Sequence, residues 1–436
     1  MRRARTAAVD HEGRVRPAGR LSRLAVAGAT LVCGMGAWMA VPAGVSAGTT
    51  ARSPRSGHAA YAGPADAGLE QSWTSGASAW AVVALGDLGR KLDTFWEIVV
   101  RPAGTPRWSV VTPPGVASNG GFSAAGTPGG SGGPGVVTAG FQPSQYLTYS
   151  PIASSNDGGK TWTAGTLASG LLPVADAVAA EPDGAVLALV RAKGGALLRS
   201  AGSLTAWKTL VSRRALDETR AGRACGVLAL SAVVASGSSS PELGAACGVP
   251  GVVGLFHLSS SGWVATHVRV PAGARSTFTV LRLASGPVGT WALAEGRGPR
   301  SASLVALWRA GPAARWRASP QVRLHGSVLS TAALGGRSLL IATGSGFRTQ
   351  DLLWTGGPGT HWRSLGPPPA GTQVVVPAPG LASLAPAGAA PAAGPGPLSA
   401  LVVAGSEVTV WHRAPTGRWG PSAQRLHVPV EYGSST

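Results

Sequence analysis

The chain has 436 residues and a net charge of +19, and 44% of its residues are hydrophobic, including 15 Trp. Its 64 Gly and 34 Pro are too few for a collagen-like or low-complexity disordered protein, so the composition predicts a folded chain with a sizeable core. The positive net charge favours an anionic partner. The alternative is compositional drift, because the arginines are scattered along the sequence.

The first 47 residues have the features of an export signal. Seven Arg precede an apolar stretch from Leu24 to about Val41, and Val45-Ser46-Ala47 resembles a cleavage site. We expect 1–47 to be a signal peptide and 48–68 a flexible linker. The protein is then secreted or extracytoplasmic, and we expect no nucleic acid among its partners. The alternative is an uncleaved single-pass membrane anchor with the rest of the chain outside. Cleavage lowers the net charge to +14, because the segment holds seven Arg and two acidic residues.

Tryptophans recur with a period near fifty residues, which indicates a repeat protein. Seven of them, at spacings of 54, 45, 56, 53, 46 and 57 residues, come just after a short polar or Gly/Pro-containing turn, and most also follow an apolar run. These marker tryptophans are Trp108, Trp162, Trp207, Trp263, Trp316, Trp362 and Trp419. A further apolar run lies upstream of each hairpin, so each repeat predicts three to four strands. We predict an all-β fold over 69–430, a seven-bladed β-propeller with four-stranded antiparallel blades, followed by a tail over 431–436; six or eight blades are the alternatives.

Two low-complexity stretches interrupt the repeats. Residues 120–135 are rich in Gly and Ser, and residues 377–397 are rich in Ala, Pro and Gly, so we predict a long loop at each. We expect the last β-prone run, 426–430, to close the ring by pairing beside the strands near Trp73 and Trp80.

One hairpin contains a complete motif, Ser155-Asn156-Asp157-Gly158-Gly159-Lys160-Thr161-Trp162. Its short polar side chains can accept hydrogen bonds from nearby backbone N–H groups, and its two glycines allow a positive φ. The motif resembles the Asp-box (BNR) pattern of the sialidase-like propellers, in the residues Ser155, Asp157, Gly158, Gly159, Thr161 and Trp162. That family includes exo-sialidases, photosystem II assembly factors and sortilin-like receptors. The resemblance implies a propeller fold and a structural role for the motif, which lies away from the active site in sialidases.

Catalytic chemistry finds little support in the sequence. The Arg-Ile-Pro motif of sialidases is absent, four Tyr are present, and Glu97, Glu181, Glu295 and Glu407 fall in different repeats, so no pair of carboxylates is selected for glycoside hydrolysis. The histidines lack metal-ligand spacing. We therefore predict no catalytic residue, no metal site and no cofactor.

Two further features concern individual side chains. Cys225 and Cys247 are the only two cysteines after the signal, which predicts a disulfide; a two-Cys metal site is the alternative and lacks nearby His. Trp73, Trp80 and Trp291 fall outside the marker positions, so we expect them to be the best candidates for an exposed binding surface.

These observations favour an exported, non-catalytic binding or assembly module at the cell envelope. Its expected partner is an anionic cell-wall polymer, a glycan or an envelope protein, held at the central channel or the upper loops. The alternatives are a divergent sialidase-like exo-glycosidase and a membrane-anchored scaffold for envelope proteins.

Overall fold

The structure is a computed structural model that describes residues between 70 and 428. The gaps in this range are 76–77, 89–93, 114–121, 127–134, 142–149, 168–174, 182, 191–194, 237–239, 267, 271–275, 287–288, 299–300, 312, 335–337, 346–347, 358 and 379–394. The predicted signal (1–47), linker (48–68) and tail (431–436) lie outside the described residues. Within the described part of the chain, no helix combines the length and the apolar character that a membrane span requires.

The strands form consecutive antiparallel groups, in which the first three strands pair in chain order and the fourth pairs with the third. Group 1 contains β1 (Glu70–Ser75), β2 (Ser78–Gly86), β3 (Thr94–Arg101) and β4 (Ser109–Val110). Group 2 contains β5 (Phe122–Gly126), β6 (Val137–Phe141), β7 (Ser150–Ser155) and β8 (Thr163–Leu167). Group 3 contains β9 (Ala175–Ala180), β10 (Val186–Val190), β11 (Ala196–Ser200) and β12 (Trp207–Ser212).

Groups 4 and 5 have a fourth strand in two pieces, both paired with the third strand. Group 4 contains β13 (Val227–Ser236), β14 (Ser240–Cys247), β15 (Val252–Ser259), β16 (Gly262–Ala265) and β17 (Val268–Arg269). Group 5 contains β18 (Thr277–Gly286), β19 (Gly289–Arg297), β20 (Ala302–Arg309), β21 (Arg317–Ala318) and β22 (Val322–Leu324).

Groups 6 and 7 return to four strands each. Group 6 contains β23 (Ser327–Leu334), β24 (Ser338–Ser345), β25 (Arg348–Thr355) and β26 (Arg363–Ser364). Group 7 contains β27 (Thr372–Pro377), β28 (Leu398–Ala404), β29 (Glu407–Arg413) and β30 (Trp419–His427). The prediction of an all-β protein with four-stranded antiparallel sheets is thus confirmed for groups 2, 3 and 7. Pairing of β1 with β23 joins groups 1 and 6 into one larger sheet, and pairing of β14 with β18 joins groups 4 and 5.

Two short helices between groups 3 and 4 have no counterpart in the sequence prediction. α1 (Arg213–Asp217) is capped by the Ser212 side chain and α2 (Arg220–Cys225) by the Thr219 side chain. Helices of five and six residues are too short to show a 3.6-residue period, which explains why the sequence pattern did not reveal them.

The second strands are mostly buried because both of their faces are covered. In β2, Val82 and Ala84 belong to a hydrophobic cluster shared with group 2, whereas Val83 and Leu85 belong to one shared with group 7. Successive side chains of a strand point to opposite faces, so one run of apolar residues serves two interfaces. This arrangement accounts for the continuous apolar runs of the sequence.

Each of the hydrophobic clusters draws its residues from two neighbouring groups, and one of them joins group 7 to group 1. At that junction the buried Gln373 amide accepts a hydrogen bond from the Ala84 N–H and donates one to the Ala84 carbonyl, both at 2.7 Å. The chain therefore has the repeat architecture of a β-propeller, with its first and last groups in contact.

Two expectations about the ends of the repeats are wrong. The C-terminal run pairs within its own group, where Leu426 faces Val408 of β29, so it forms no strand pair with the N-terminal strands; Leu426 and Val428 meet group 1 by side-chain packing instead. Residues 122–126 form β5, the first strand of group 2, inside the stretch that the composition assigned to a loop. Small residues are needed there because a Cβ on Gly126 would overlap the indole of Trp73.

Candidate functional site: the hairpin face

The Asp157 carboxylate organises the turn between β7 and β8. Its Oδ1 accepts the backbone N–H groups of Lys160 (3.0 Å) and Thr161 (2.9 Å), and its Oδ2 accepts the Thr161 hydroxyl at 2.6 Å. The Ser155 hydroxyl donates to the same carboxylate at 2.8 Å and accepts the N–H of Gly159 at 2.9 Å. The hydrogen bonds from Thr161, above all, lower the pKa of Asp157 to about 2. This carboxylate is engaged in shaping the turn.

The two glycines of this turn have positive φ angles, +81° at Gly158 and +85° at Gly159. At Gly159 a Cβ would also lie 2.7 Å from the side chain of Val111, which belongs to the preceding group. Glycine is required here both by the backbone conformation and by the close approach of group 1.

The marker tryptophans join each group to the one before it. The Trp162 Nε1–H donates to the Val111 carbonyl at 2.9 Å, and the Trp207 Nε1–H donates to the Thr166 carbonyl at 2.9 Å. Trp316 donates in the same way to Thr266 Oγ1 at 3.2 Å, and Trp362 to the Pro320 carbonyl at 3.0 Å. In every case the acceptor lies in or beside the last strand of the preceding group.

The other three marker tryptophans occupy the same place through packing. Trp263 packs against the cluster between groups 3 and 4, and Trp419 against the cluster between groups 6 and 7. Trp108 belongs to the cluster between groups 7 and 1, where it is 4% exposed. Each marker hairpin is therefore held against the group that precedes it.

The tryptophans outside the marker positions do not form an exposed surface, contrary to expectation. Trp73 and Trp80 are 8% and 0% exposed and stack on each other with ring centroids 5.9 Å apart. Trp291 is 6% exposed and lies beneath the Arg282 guanidinium at 5.9 Å. All three lie on first or second strands, which neighbouring groups cover.

The carboxylates considered for glycoside hydrolysis are held by separate local partners. Glu181 binds Arg199 at 2.5 Å, Glu295 binds Arg297 at 2.8 Å, and Glu97 accepts the Thr112 hydroxyl. Burial raises the pKa of Glu97, an effect that this hydrogen bond opposes. Glu407 is the first residue of β29 and is exposed. The structure does not bring these four carboxylates together.

A disulfide joins Cys225 at the end of α2 to Cys247 at the end of β14. Its Cα atoms are 4.9 Å apart, and both cysteines are buried. A Cβ on Gly254 would lie 2.6 and 2.9 Å from the two sulfur atoms, so this glycine makes room for the bridge. Among the described residues, no group of three or more His, Cys, Asp or Glu is placed to hold a metal ion.

Cations flank the marker tryptophans. A Lys or Arg occurs within two residues of the tryptophan in six of the seven repeats, and no acidic residue does. These exposed side chains are Arg107, Lys160, Lys208, Arg315, Arg317, Arg363 and Arg418. We call this set, with the marker hairpins that carry it, the hairpin face. Each indole contacts the group before it, and an exposed cation recurs beside the marker tryptophan in every group except group 4. The sequence analysis treated the arginines as scattered and missed this recurrence, although the short distance in sequence between each cation and its marker tryptophan was visible.

The first strands of groups 1, 5 and 6 are joined directly. β1 and β23 pair in parallel through Glu70–Ser330 and Gln71–Thr331. The Arg282 guanidinium of β18 donates to the carbonyls of Thr331 and Ser72, each at 2.7 Å. Burial lowers the pKa of Arg282 to about 10. Residues of the chain itself thus cross-link the first strands of groups 1, 5 and 6, where a binding channel was expected, so we take the hairpin face as the candidate binding surface.

No protein family and no curated protein matches the chain. Solved structures with similarity include a protein of unknown function from Dyadobacter fermentans, at 13% identity over 68% of this chain and 92% of that one, with a TM-score of 0.40. YCF48 from Cyanidioschyzon merolae is 15% identical over 79% of this chain and 92% of its own, with a TM-score of 0.40. A putative exo-beta-1,3-galactanase from Bifidobacterium bifidum is 12% identical over 58% and 91%, with a TM-score of 0.35. At these scores the similarities carry no argument about function.

Proposed function

We propose that the protein is an exported, seven-bladed β-propeller that acts as a non-catalytic binding module at the cell envelope, with an anionic wall polymer on its hairpin face. The observation that carries the proposal is the recurrence of an exposed cation beside six of the seven marker tryptophans. The blade count is supported by the hydrophobic clusters, each of which lies between neighbouring groups, including the last and the first.

The chemistry of the face suits a long, repetitive anion better than a small substrate. Its cations are spread over the hairpins of six groups, so a polymer can meet several of them at once. Two acidic side chains of the hairpin regions have partners within the protein: Asp157 accepts hydrogen bonds from its own turn, and Glu181 forms an ion pair with Arg199. Attraction between exposed charges of this kind weakens as the ionic strength rises.

The test compares two variants with the same net charge. In the first, the hairpin-face residues Arg315, Arg317 and Arg363 are changed to Gln; in the second, the exposed Arg220, Arg269 and Arg348 are changed to Gln. Binding of the chain from residue 48 onward to purified anionic wall polymer is measured by sedimentation at several salt concentrations. A cation near an anionic surface contributes about 1 kcal/mol at low salt, so the loss of three should weaken binding by the first variant roughly a hundredfold.

We expect the second variant to stay within about threefold of the wild type, because its changes lie away from the marker hairpins. Equal losses in the two variants would mean that overall charge, and not the hairpin face, attracts the polymer. Binding that does not change with salt would contradict the proposal as well.

The two alternative functions stay predictions. Turnover of a fluorogenic sialoside, abolished by changing Glu97 or Glu295 to Gln, would establish the exo-glycosidase. Retention of residues 1–47 in the membrane fraction of the native host would establish the anchored scaffold.

A further inference from the structure

Two of the junctions between groups are built from the same repeat positions. At the junction of groups 4 and 5, Glu242 of β14 and His257 of β15 are cross-strand partners on the face that meets group 5. Arg309, at the end of β20, is 1% exposed, stacks on Trp316 at 4.9 Å, and forms an ion pair with Glu242. The Thr290 hydroxyl donates to the same carboxylate at 3.2 Å. The buried arginine here has a buried carboxylate as its partner.

The junction of groups 7 and 1 repeats this arrangement with one difference. Ser399 of β28 and His412 of β29 are cross-strand partners, and alternation along their strands places them on the face that meets group 1. Arg101, at the end of β3, is 2% exposed and stacks on Trp108 at 5.6 Å. Like Arg309, it stands seven residues before the marker tryptophan of its group. Ser399 thus holds the position that Glu242 holds at the other junction.

Arg101 consequently lacks the carboxylate that its counterpart has. Its guanidinium donates to the Pro377 carbonyl at 3.0 Å, and no ion pair of Arg101 occurs among the residues that the structure describes. A buried cation with a neutral partner is costly, because burial removes its hydration and nothing opposite in charge replaces it.

The neighbouring histidines report the same difference. Burial and the charge of Arg101 both lower the pKa of His412. Burial and the charge of Arg309 lower the pKa of His257 in the same way, but there the charge of Glu242 acts in the opposite direction. At the group 4–5 junction the charge of Glu242 offsets that of Arg309, whereas the charge of Arg101 at the group 7–1 junction is not offset by a described carboxylate.

We propose that the junction of groups 7 and 1 is a binding site for the carboxylate of a small ligand, held by Arg101 with Ser399 and His412 beside it. The ligand carboxylate takes the place that the Glu242 side chain fills at the other junction. A planar carboxylate matches the two-pronged geometry of a guanidinium group. Ser399 Oγ lies 3.1 Å from His412 Nδ1, and His412 is exposed, so solvent reaches the cluster from that side.

The site is independent of polymer binding on the hairpin face and can be tested alone. The probe is sodium acetate, compared with sodium chloride at equal ionic strength and with neutral acetamide. At ten times its dissociation constant, acetate is expected to raise the melting temperature of the wild-type protein by roughly 2 °C, while acetamide has no effect. Equal melting temperatures in acetate and chloride would overturn the proposal.

Reciprocal variants locate the response. Ser399→Glu supplies the missing carboxylate from the chain itself, so we expect a higher melting temperature in chloride and no further response to acetate. Glu242→Ser removes the carboxylate at the other junction, so we expect a second acetate response there. A Ser399→Glu protein that folds and keeps the full acetate response would place the anion elsewhere and contradict the site.

A measurement on the wild-type protein covers the case in which Ser399→Glu does not fold. The pKa of His412, followed by NMR of its imidazole, is expected to rise in acetate, because a bound anion offsets the charge of Arg101. An unchanged His412 pKa at acetate concentrations that stabilise the protein would refute the site. The Arg315, Arg317 and Arg363 changes are expected to leave both acetate responses intact, which separates this site from the hairpin face.

Discussion

The buried ion pair between Glu242 and Arg309 offers the sharpest test of how the groups are held together. Its two side chains are 4% and 1% exposed, so Glu242→Gln leaves the Arg309 cation buried beside a neutral amide. Removal of one partner of a buried pair costs about 3–5 kcal/mol. The entropy of unfolding is roughly 2.1 cal/mol/K per residue, or about 0.75 kcal/mol/K for about 360 residues, so the melting temperature should fall by about 4–7 °C.

The matched control is Glu295→Gln. Its partner, the Arg297 side chain, is 56% exposed, and the loss of such an ion pair costs about 0–1 kcal/mol, or about 1 °C. Differential scanning calorimetry of both variants under one buffer condition provides the comparison. The reasoning fails if Glu242→Gln melts within about 1 °C of Glu295→Gln, because burial would then not determine the cost.

Three further predictions concern the hairpins and the disulfide. Trp207→Phe keeps an aromatic ring but removes the N–H that donates to the carbonyls of Thr166 and Leu204. Chemical denaturation should therefore show a free energy of unfolding lower by about 1–2 kcal/mol. An unchanged midpoint would mean that packing alone joins groups 2 and 3. Because its folded-state pKa of about 2 lies below the unfolded value of about 3.9, Asp157 contributes stability that is present above about pH 4 and is lost as the pH falls through 2. A carbon-13 NMR titration of Asp157 that gives an ordinary pKa would contradict this. Gly254→Ala should expose free thiols at lower concentrations of reductant than the wild type, whereas Gly420→Ala, whose added Cβ meets nothing within 4 Å, should not.

The repeat was predictable because each marker tryptophan performs the same task. An indole that packs against the preceding group leaves a large aromatic residue at a constant place in every hairpin, so the spacing of Trp162, Trp207 and their counterparts reveals the register. The disulfide position followed from cysteine number alone. In both cases a single residue type carries the information, without knowledge of its neighbours.

The features that were missed depend on contacts between distant residues. Gly126 resembles a loop residue until the indole of Trp73 is placed against it, and Trp73 and Trp80 resemble surface candidates until group 2 covers them. Arg101 and Ser399 lie on opposite sides of the junction between the first and last groups, and no local sequence pattern indicates that they are neighbours. Sequence periodicity reveals the strands of a single group, whereas the burial of a residue depends on how two neighbouring groups pack together.

The indole hydrogen bonds have a direction along the chain. Each joins a tryptophan to an acceptor synthesised earlier, 51 residues before Trp162, 41 before Trp207, 50 before Trp316 and 42 before Trp362. A chain that emerges from the ribosome N-terminus first can therefore dock each new hairpin onto one already made. The bonds of Gln373 to Ala84 and of Gln424 to Trp108 span 289 and 316 residues and must wait for the end of synthesis. Until then the apolar face of group 1 that group 7 covers stays open.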